Sequence, residues 1–227
     1  DGMGGQAGGD VASRLVMDSL AELAPTLGGI ASAPDLHEEE RATDRLTTMA
    51  EQAHASILTH AAQHPPLYGM GTTLVMAHLL PLPKPRLLVL NVGDSRAYLV
   101  RAGTLTQLTR DHTLIEEYVH DGRLTPAQAA CHPNRHVLTR AMGLAPHLES
   151  DLFFFDLLDG DLLLLCSDGL TKMLTDERIL QTVRPHRHIP SLATQALIHT
   201  ALDAGGIDNV TVVACTITEI PDQANIH

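Results

Sequence analysis

The chain contains no tryptophan, and aromatic residues make up only 3% of its 227 residues. Its core must therefore be aliphatic, and a hydrophobic content of 44% is enough for one domain with a core of its own. Basic residues are also scarce: 15 Lys and Arg stand against 27 Asp and Glu, a formal charge of −12. This balance argues against a nucleic-acid partner, because phosphate backbones are bound by basic surfaces.

Cysteines are few, and long apolar runs are missing. Cys131, Cys166 and Cys215 do not have the spacing of a metal site, and the last two lie within apolar segments typical of strands. A reduced cysteine there acts as a small hydrophobic residue, which suits a reducing cytoplasm. No apolar run is long enough to cross a bilayer and no signal peptide is recognisable. We therefore predict a cytoplasmic protein without a membrane segment.

The order of predicted elements indicates the α+β class. Glycines between Gly2 and Gly9 predict a turn before a helix that reaches Leu23, and residues 36–63 lack Pro and Gly and predict a long helix. Ala102-Gly103 and Asp159-Gly160 predict tight hairpins. Loops are expected at 25–34 and 81–85, strands at 72–80, 86–92, 97–101, 105–108, 152–157, 161–166 and 210–217, and later helices at 176–183 and 191–204. Strands that follow one another directly favour mainly antiparallel sheets.

Three aspartates stand at turns that are far apart in the chain. Asp1 precedes a glycine, Asp168 follows the apolar run 162–166, and Asp208 comes just before the apolar run 210–215. Carboxylates at the ends of core strands can converge on one point of a fold, and their hard oxygens suit Mg²⁺ or Mn²⁺. Each motif alone is common in turns, so none of them would establish a metal site without the others.

Further motifs surround these aspartates in a fixed order. They are Gly69-Met70-Gly71-Thr72-Thr73, the stretch Asn91 to Leu99 with Gly93-Asp94-Ser95-Arg96, Leu108-Thr109-Arg110-Asp111-His112, Leu138 to Gly143, and Asp208 to Val213. Together they resemble the metal-dependent serine/threonine protein phosphatases (the PPM or type 2C-like family), in particular its small bacterial members. The resemblance runs from residue 1 to about residue 216. It implies a single domain over residues 1–227 with an αββα sandwich fold, two mainly antiparallel sheets flanked by helices.

The resemblance also implies a site for two Mn²⁺ or Mg²⁺ ions. Asp1 matches the carboxylate that bridges the two ions, and Gly2 matches the residue whose carbonyl oxygen binds one of them. Asp168 and Asp208 match ligands of the other ion, and Asp94 matches the residue that holds a third, weaker ion together with Asp168 in bacterial relatives. Catalysis would then use a metal-activated water that attacks phosphorus directly, without a covalent phosphoenzyme.

Two departures from the family pattern concern the substrate side of the site. Family members carry, before the first motif, a strand with an arginine that grips the substrate phosphate and an acidic residue that helps to bind metal. This chain starts at the Asp1-Gly2 turn, so we expect the native protein to carry that N-terminal strand and both residues before Asp1. Met3 stands where some relatives have a histidine proposed as the general acid, so we assign that role to no residue and expect water to serve.

The function expected from the resemblance is hydrolysis of phosphoserine and phosphothreonine in proteins. The enzyme would be a cytoplasmic, monomeric signalling protein that opposes a bacterial Ser/Thr kinase. Residues 113–140 resemble the variable flap of the family, for which we expect a role in substrate choice. The alternative, motivated by the missing upstream pair, is a catalytically silent phosphatase-like domain that senses or binds phosphoproteins.

Two histidine patterns leave other interpretations open. His60 and His64 are four positions apart on the predicted long helix, which is a possible zinc geometry. No Cys or carboxylate pattern completes such a site, so solvated surface histidines are the favoured interpretation. His112 follows Asp111 at the entry to the flap segment, where it could approach the active site or make a structural hydrogen bond.

Overall fold

The computed structural model describes residues 1–27, 37–80 and 84–218. Its contacts divide the chain into two compact units. The first unit comprises Asp1–Arg96 and Leu108–Phe155, and the second comprises Ala97–Gln107 and Asp156–His227. Among the described residues, no helix combines the length and the apolar character needed to cross a bilayer.

Helices and strands alternate irregularly along the chain. In order they are β1 (Gly2–Met3), α1 (Gly5–Leu23), α2 (Glu38–Gln63), β2 (Gly71–Thr72), β3 (Leu74–Leu80), β4 (Arg86–Val92), β5 (Arg96–Arg101), β6 (Thr104–Gln107), α3 (Leu114–His120), α4 (Pro126–Ala130), β7 (Asp151–Asp156), β8 (Leu162–Cys166), α5 (Asp168–Thr171), α6 (Asp176–Val183), α7 (Pro190–Asp203) and β9 (Val212–Thr216). Pairs β1–β2, β3–β4, β5–β6 and β8–β9 are antiparallel, which confirms the predicted α+β class.

The first unit packs helices α1 and α2 together with a sheet of strand order β3-β4-β7. Strand β4 is the central strand of this sheet and is buried along nearly its whole length. Helix α2 carries Glu38, Glu39 and Glu40 in its first turn, which suits the positive end of the helix dipole, and it ends where Pro65 follows His64. Its buried residues recur at a spacing of three to four and face the core: Ala42, Leu46, Met49, Ala50, Ala53, His54, Ile57 and Ala61.

The second unit packs α6 and α7 with a sheet of order β6-β5-β8-β9. Its buried core is aliphatic apart from Cys166 and Tyr98. The Tyr98 hydroxyl donates to Asp176 Oδ1 at 3.0 Å. The predicted hairpin between β5 and β6 is confirmed. Ala102 and Gly103 have φ values of 49° and 79°, as the turn preferred by a two-residue hairpin requires.

The hairpin predicted at Asp159-Gly160 is wrong. The flanking strands lie in different sheets, because β7 is bonded beside β4 and β8 is bonded between β5 and β9. The dipeptide does form a turn, which Asp161 holds by accepting from the Leu158 amide at 2.8 Å and from the Arg101 guanidinium at 2.6 and 2.8 Å. A buried carboxylate needs such partners. Backbone bonds hold the same turn, because the Gly160 amide donates to the Ile217 carbonyl at 2.9 Å and the Ile217 amide donates to the Asp161 carbonyl at 2.8 Å.

The turn predicted over Gly2–Gly9 is also wrong in extent, since α1 already begins at Gly5. The glycines serve close packing instead of a long turn. A Cβ atom on Gly2 would lie 2.1 Å from the carbonyl oxygen of Gly9, so β1 and α1 meet backbone to backbone.

Other predictions agree with the structure to within a few residues. The predicted strand 86–92 and helix 176–183 coincide with β4 and α6. Leu36, most of the loop 25–34 and residues 81–83 of the loop 81–85 lie outside the described residues. Cys166 is buried as expected, whereas Cys215 is exposed because the edge strand β9 alternates between covered and open positions.

Candidate metal centre

Asp168 and Asp208 are brought together in the second unit by two adjoining loops. Asp168 begins α5 directly after β8, and Asp208 lies in the loop before β9. Ser167 ties the loops together, because its amide donates to the Thr211 carbonyl at 3.1 Å and its Oγ accepts from the Thr211 amide at 3.1 Å. A carboxylate oxygen of Asp168 lies within 4.8 Å of one of Asp208.

Gly169 is required for this approach of the two loops. A Cβ atom at position 169 would lie 2.1 Å from the carbonyl oxygen of Asn209, which is backbone and cannot turn aside. Gly169 therefore has a packing role that places Asp168 next to Asp208.

Lys172 is a site residue that the motif reasoning missed. Its Nζ lies 2.6 Å from Asp168 Oδ2 and 2.9 Å from Asp208 Oδ2. Burial acts to lower the pKa of Lys172, but the hydrogen bonds with both carboxylates outweigh it and raise the pKa above its usual value. The hydrogen bond with Lys172 is also the main cause of a lowered pKa for Asp208. Asp168 and Lys172 are four positions apart, a spacing at which side chains meet on a helix, so their contact could be inferred from the sequence. Nothing in the sequence indicates the contact of Lys172 with Asp208.

The donor set of this unit fits a divalent cation. Within the described part of the chain, Asp168 Oδ1 is buried and has no hydrogen-bond partner. Asp208 Oδ1 accepts from the Asn209 amide at 2.9 Å. Burying a carboxylate oxygen without a hydrogen-bond partner costs free energy, and a hard cation bound to that oxygen would offset the cost.

Asp1 and Gly2 are held in the first unit by the Thr72-Thr73 pair. The Asp1 carbonyl accepts from the Thr73 amide at 2.8 Å and from Thr72 Oγ1 at 2.7 Å, and Gly2 pairs with Thr72 across β1 and β2. Thr73 Oγ1 in turn lies 2.7 Å from Ser95 Oγ. The main chain of Asp1 is thereby anchored, and the residue is exposed.

His112 braces the turn that carries Asp94. Its Nδ1 accepts from the Gly93 amide at 3.1 Å, its own amide donates to the Gly93 carbonyl at 3.0 Å, and its Nε2 lies 3.2 Å from Asp151 Oδ2. Arg140 bonds to the other oxygen of Asp151 at 2.7 Å. Of the two interpretations left open, the structural hydrogen bond is the one observed, and it holds the 9%-exposed Asp94 in place.

The burial of His112 predicts a specific acid sensitivity. Burial lowers the pKa of His112 more than the hydrogen bond with Asp151 raises it. The unfolded chain takes up a proton at about pH 6.5 while the folded chain does not. The free energy of unfolding should therefore fall as the pH falls from about 6.5 toward the lowered pKa.

Urea unfolding between about pH 7.5 and 5.5 would check this. His54 and His78 also have pKa values lowered by burial, so His112→Gln should make the loss of stability with falling pH smaller without abolishing it. His199 is exposed on α7 and provides the control variant His199→Gln, in which the free energy of unfolding should fall with pH as it does in the wild type. If His112→Gln lost stability with falling pH as steeply as the wild type, the acid sensitivity would not come from His112.

His60, in the last turn of α2, is half-buried, and His64, the residue after the helix, is exposed. Their rings stack with centroids 4.1 Å apart, and His64 Nδ1 lies 2.9 Å from the His60 carbonyl oxygen. Among the described residues, they belong to no group of three potential metal ligands.

Comparisons with known proteins cover nearly the whole chain. The family profile described as Protein phosphatase 2C matches residues 1–203. The serine/threonine protein phosphatase PstP of Mycobacterium tuberculosis is 39% identical over 224 residues, which are 96% of this chain and 40% of that protein. The serine/threonine phosphatase stp of Listeria welshimeri is 35% identical over 213 residues, 94% of this chain and 81% of that protein.

A solved structure extends the likeness to three dimensions. The catalytic domain of PstP in complex with two manganese ions gives a TM-score of 0.77 at 37% identity, covering 96% of this chain and 86% of that one. The likeness confirms the predicted fold class. The chain spans 40% of the length of the curated PstP sequence that it matches.

Proposed function

The chain belongs to the protein phosphatase 2C family, and on this basis we propose that it is a metal-dependent phosphatase that hydrolyses phosphoserine and phosphothreonine in proteins. The similar proteins PstP and stp are named as serine/threonine phosphatases. The observation on this chain that carries the proposal is the pairing of Asp168 with Asp208, in which a buried oxygen of Asp168 has no partner among the described residues.

The proposed cofactor is a pair of Mn²⁺ or Mg²⁺ ions. On the resemblance to the family, Asp168 and Asp208 would bind them, together with Asp1 through its carboxylate and Gly2 through its carbonyl oxygen. Asp94 and Asp168 would hold a third, weaker ion. All of these donors are hard oxygens, which suit such ions, and the PstP catalytic domain is a structure in complex with two manganese ions.

In the proposed site, residues of this chain position the metal ligands and the bound ions supply positive charge. When bound, the two ions supply an acidified water as the nucleophile and neutralise charge on the phosphoryl oxygens. Ser167 and Gly169 keep Asp168 beside Asp208, so that both carboxylates are oriented before an ion arrives. Met3 has no proton to give, so protonation of the leaving alkoxide is assigned to water.

We also propose the biological setting of this activity. The substrates would be phosphorylated Ser/Thr proteins, and the protein would oppose a Ser/Thr kinase as a cytoplasmic monomer. The free cysteines Cys131, Cys166 and Cys215 suit a reducing compartment. Residues 113–140, which include α3 and α4, would act as a flap that contributes to substrate choice.

A turnover assay on the full-length protein tests the proposal. A phosphothreonine peptide should release phosphate in the presence of Mn²⁺ and release none in excess chelator, and activity should return when Mn²⁺ is restored. The same peptide with phosphotyrosine is the control and should be a much poorer substrate. Peptide binding without turnover at saturating Mn²⁺ would favour the catalytically silent sensor instead.

A further inference from the structure

The placement of Lys172 stands out against the composition of the chain. The sequence has only two lysines, Lys84 and Lys172, while arginine supplies the other basic residues. Lys84 is exposed, whereas the Lys172 side chain is 22% exposed and its ammonium bridges Asp168 and Asp208. One cation shared by two carboxylates is the arrangement that a bound metal ion would also adopt there.

We propose that Lys172 is a tethered cation that competes with divalent ions for the Asp168–Asp208 pair. In the metal-free protein its ammonium neutralises both carboxylates, and a divalent ion that binds them displaces it. This inference rests on the proposed function, because it concerns the same metal ligands. It adds a residue that sets how much Mn²⁺ or Mg²⁺ the protein needs.

The competition follows from which oxygens are occupied. Lys172 uses Oδ2 of both aspartates, and Asp208 Oδ1 already accepts from the Asn209 amide. Asp168 Oδ1 has no partner among the described residues, so an incoming ion can bind Asp168 there. On Asp208, however, both oxygens already have partners, so an ion that uses both carboxylates competes with the ammonium at Asp208. A divalent ion and an ammonium that share one carboxylate repel each other strongly in a partly buried site.

A lysine suits this role better than an arginine would. Its ammonium is a compact charge on a flexible four-carbon stem, so it can swing toward solvent when an ion arrives. An arginine would bind a carboxylate through two parallel bonds and would leave less readily.

Two roles for Lys172 predict opposite results. If Lys172 competes, its removal leaves two mutually repelling carboxylates, which lowers the stability of the metal-free protein and strengthens metal binding. If Lys172 is instead a permanent bridge between α5 and the Asp208 loop, its removal loosens the site and weakens metal binding. The sign of the change in Mn²⁺ affinity therefore separates the two roles.

Calorimetric titration with Mn²⁺ measures that sign. Lys172→Met should bind Mn²⁺ about tenfold more tightly than the wild type, the change expected when one charged hydrogen bond no longer has to be broken. Its metal-free melting temperature should be lower and its rise with Mn²⁺ larger. Lys172→Arg keeps the charge and should bind no more tightly than the wild type, and Lys84→Met removes an exposed lysine charge and should match the wild type.

Nuclear magnetic resonance of the wild type provides a second test that needs no variant. With ¹⁵N-labelled lysine, the two side chains give two ammonium signals, and titration with diamagnetic Mg²⁺ should shift that of Lys172 while that of Lys84 stays in place. A static Lys172 signal under conditions where Mg²⁺ binds would overturn the proposal, even if Lys172→Met failed to fold.

The outcomes also distinguish this inference from the proposed function. If the wild type binds Mn²⁺ and dephosphorylates peptides while Lys172→Met binds with equal or lower affinity, only the role of Lys172 is refuted. If the wild type binds neither Mn²⁺ nor Mg²⁺, both the metal site and the competition are refuted.

Discussion

Asp168→Asn should reduce phosphopeptide turnover on the order of a thousandfold or more, because it alters a proposed metal ligand and removes its charge at once. The amide nitrogen that replaces one carboxylate oxygen donates hydrogen bonds and cannot bind a hard cation. Asp168 offers one buried oxygen without a partner among the described residues, Oδ1, and one oxygen bonded to Lys172, Oδ2, and asparagine supplies a single oxygen in place of these two. Initial rates at saturating Mn²⁺ measure the effect.

A metal-binding measurement should accompany these rates. The wild type should melt at a higher temperature as Mn²⁺ is added, since a ligand that binds only the folded state stabilises it, and Asp168→Asn should lose most of this rise. Asp203→Asn, at the exposed end of α7, removes the same charge and should behave like the wild type. Near-normal turnover by Asp168→Asn would count decisively against the metal mechanism.

Gly169→Ala should damage both the fold and the site, although it adds only a methyl group. The new Cβ would lie 2.1 Å from the Asn209 carbonyl oxygen and 2.9 Å from its carbon, so the loop that carries Asp208 has to move. Overpacking of this kind costs about 1–3 kcal/mol of stability. A shift of about 1 Å in the position of Asp208 would reduce turnover on the order of a hundredfold.

Urea unfolding and phosphopeptide assays would measure the two effects of Gly169→Ala. Gly103→Asn in the β5–β6 turn is the matched control, because no atom lies within 4 Å of a Cβ there and asparagine tolerates its φ of 79°. The control should keep wild-type turnover. Wild-type stability and turnover for Gly169→Ala would mean that the two loops can separate without consequence, contrary to the role assigned to this glycine.

The elements that could be predicted from the sequence are those with local causes. Helix α2 follows from apolar residues at a spacing of three to four, with glutamates at its start and Pro65 after its end. The hairpin at Ala102-Gly103 follows from a turn that needs positive φ at two successive positions. Both signals lie within the segment that they shape, so no distant contact was needed to interpret them.

The failed predictions depended on distant partners. Asp159-Gly160 has the composition of a hairpin turn, yet the hydrogen bonds of Asp161 with Arg101 and Leu158 stabilise a turn between strands of different sheets. The extent of α1 was misjudged because nothing next to Gly9 in the sequence indicates that it packs against Gly2.

The family and the candidate ligands could be inferred from residue types at ordered motifs, which need no coordinates. These ligands are Asp1, Gly2, Asp94, Asp168 and Asp208. The bridge that Lys172 makes between Asp168 and Asp208 could be found only in the folded chain, since Lys172 and Asp208 are 36 positions apart. Contacts of that separation arise when α5 and the loop before β9 pack together, and no periodicity within either segment encodes their meeting.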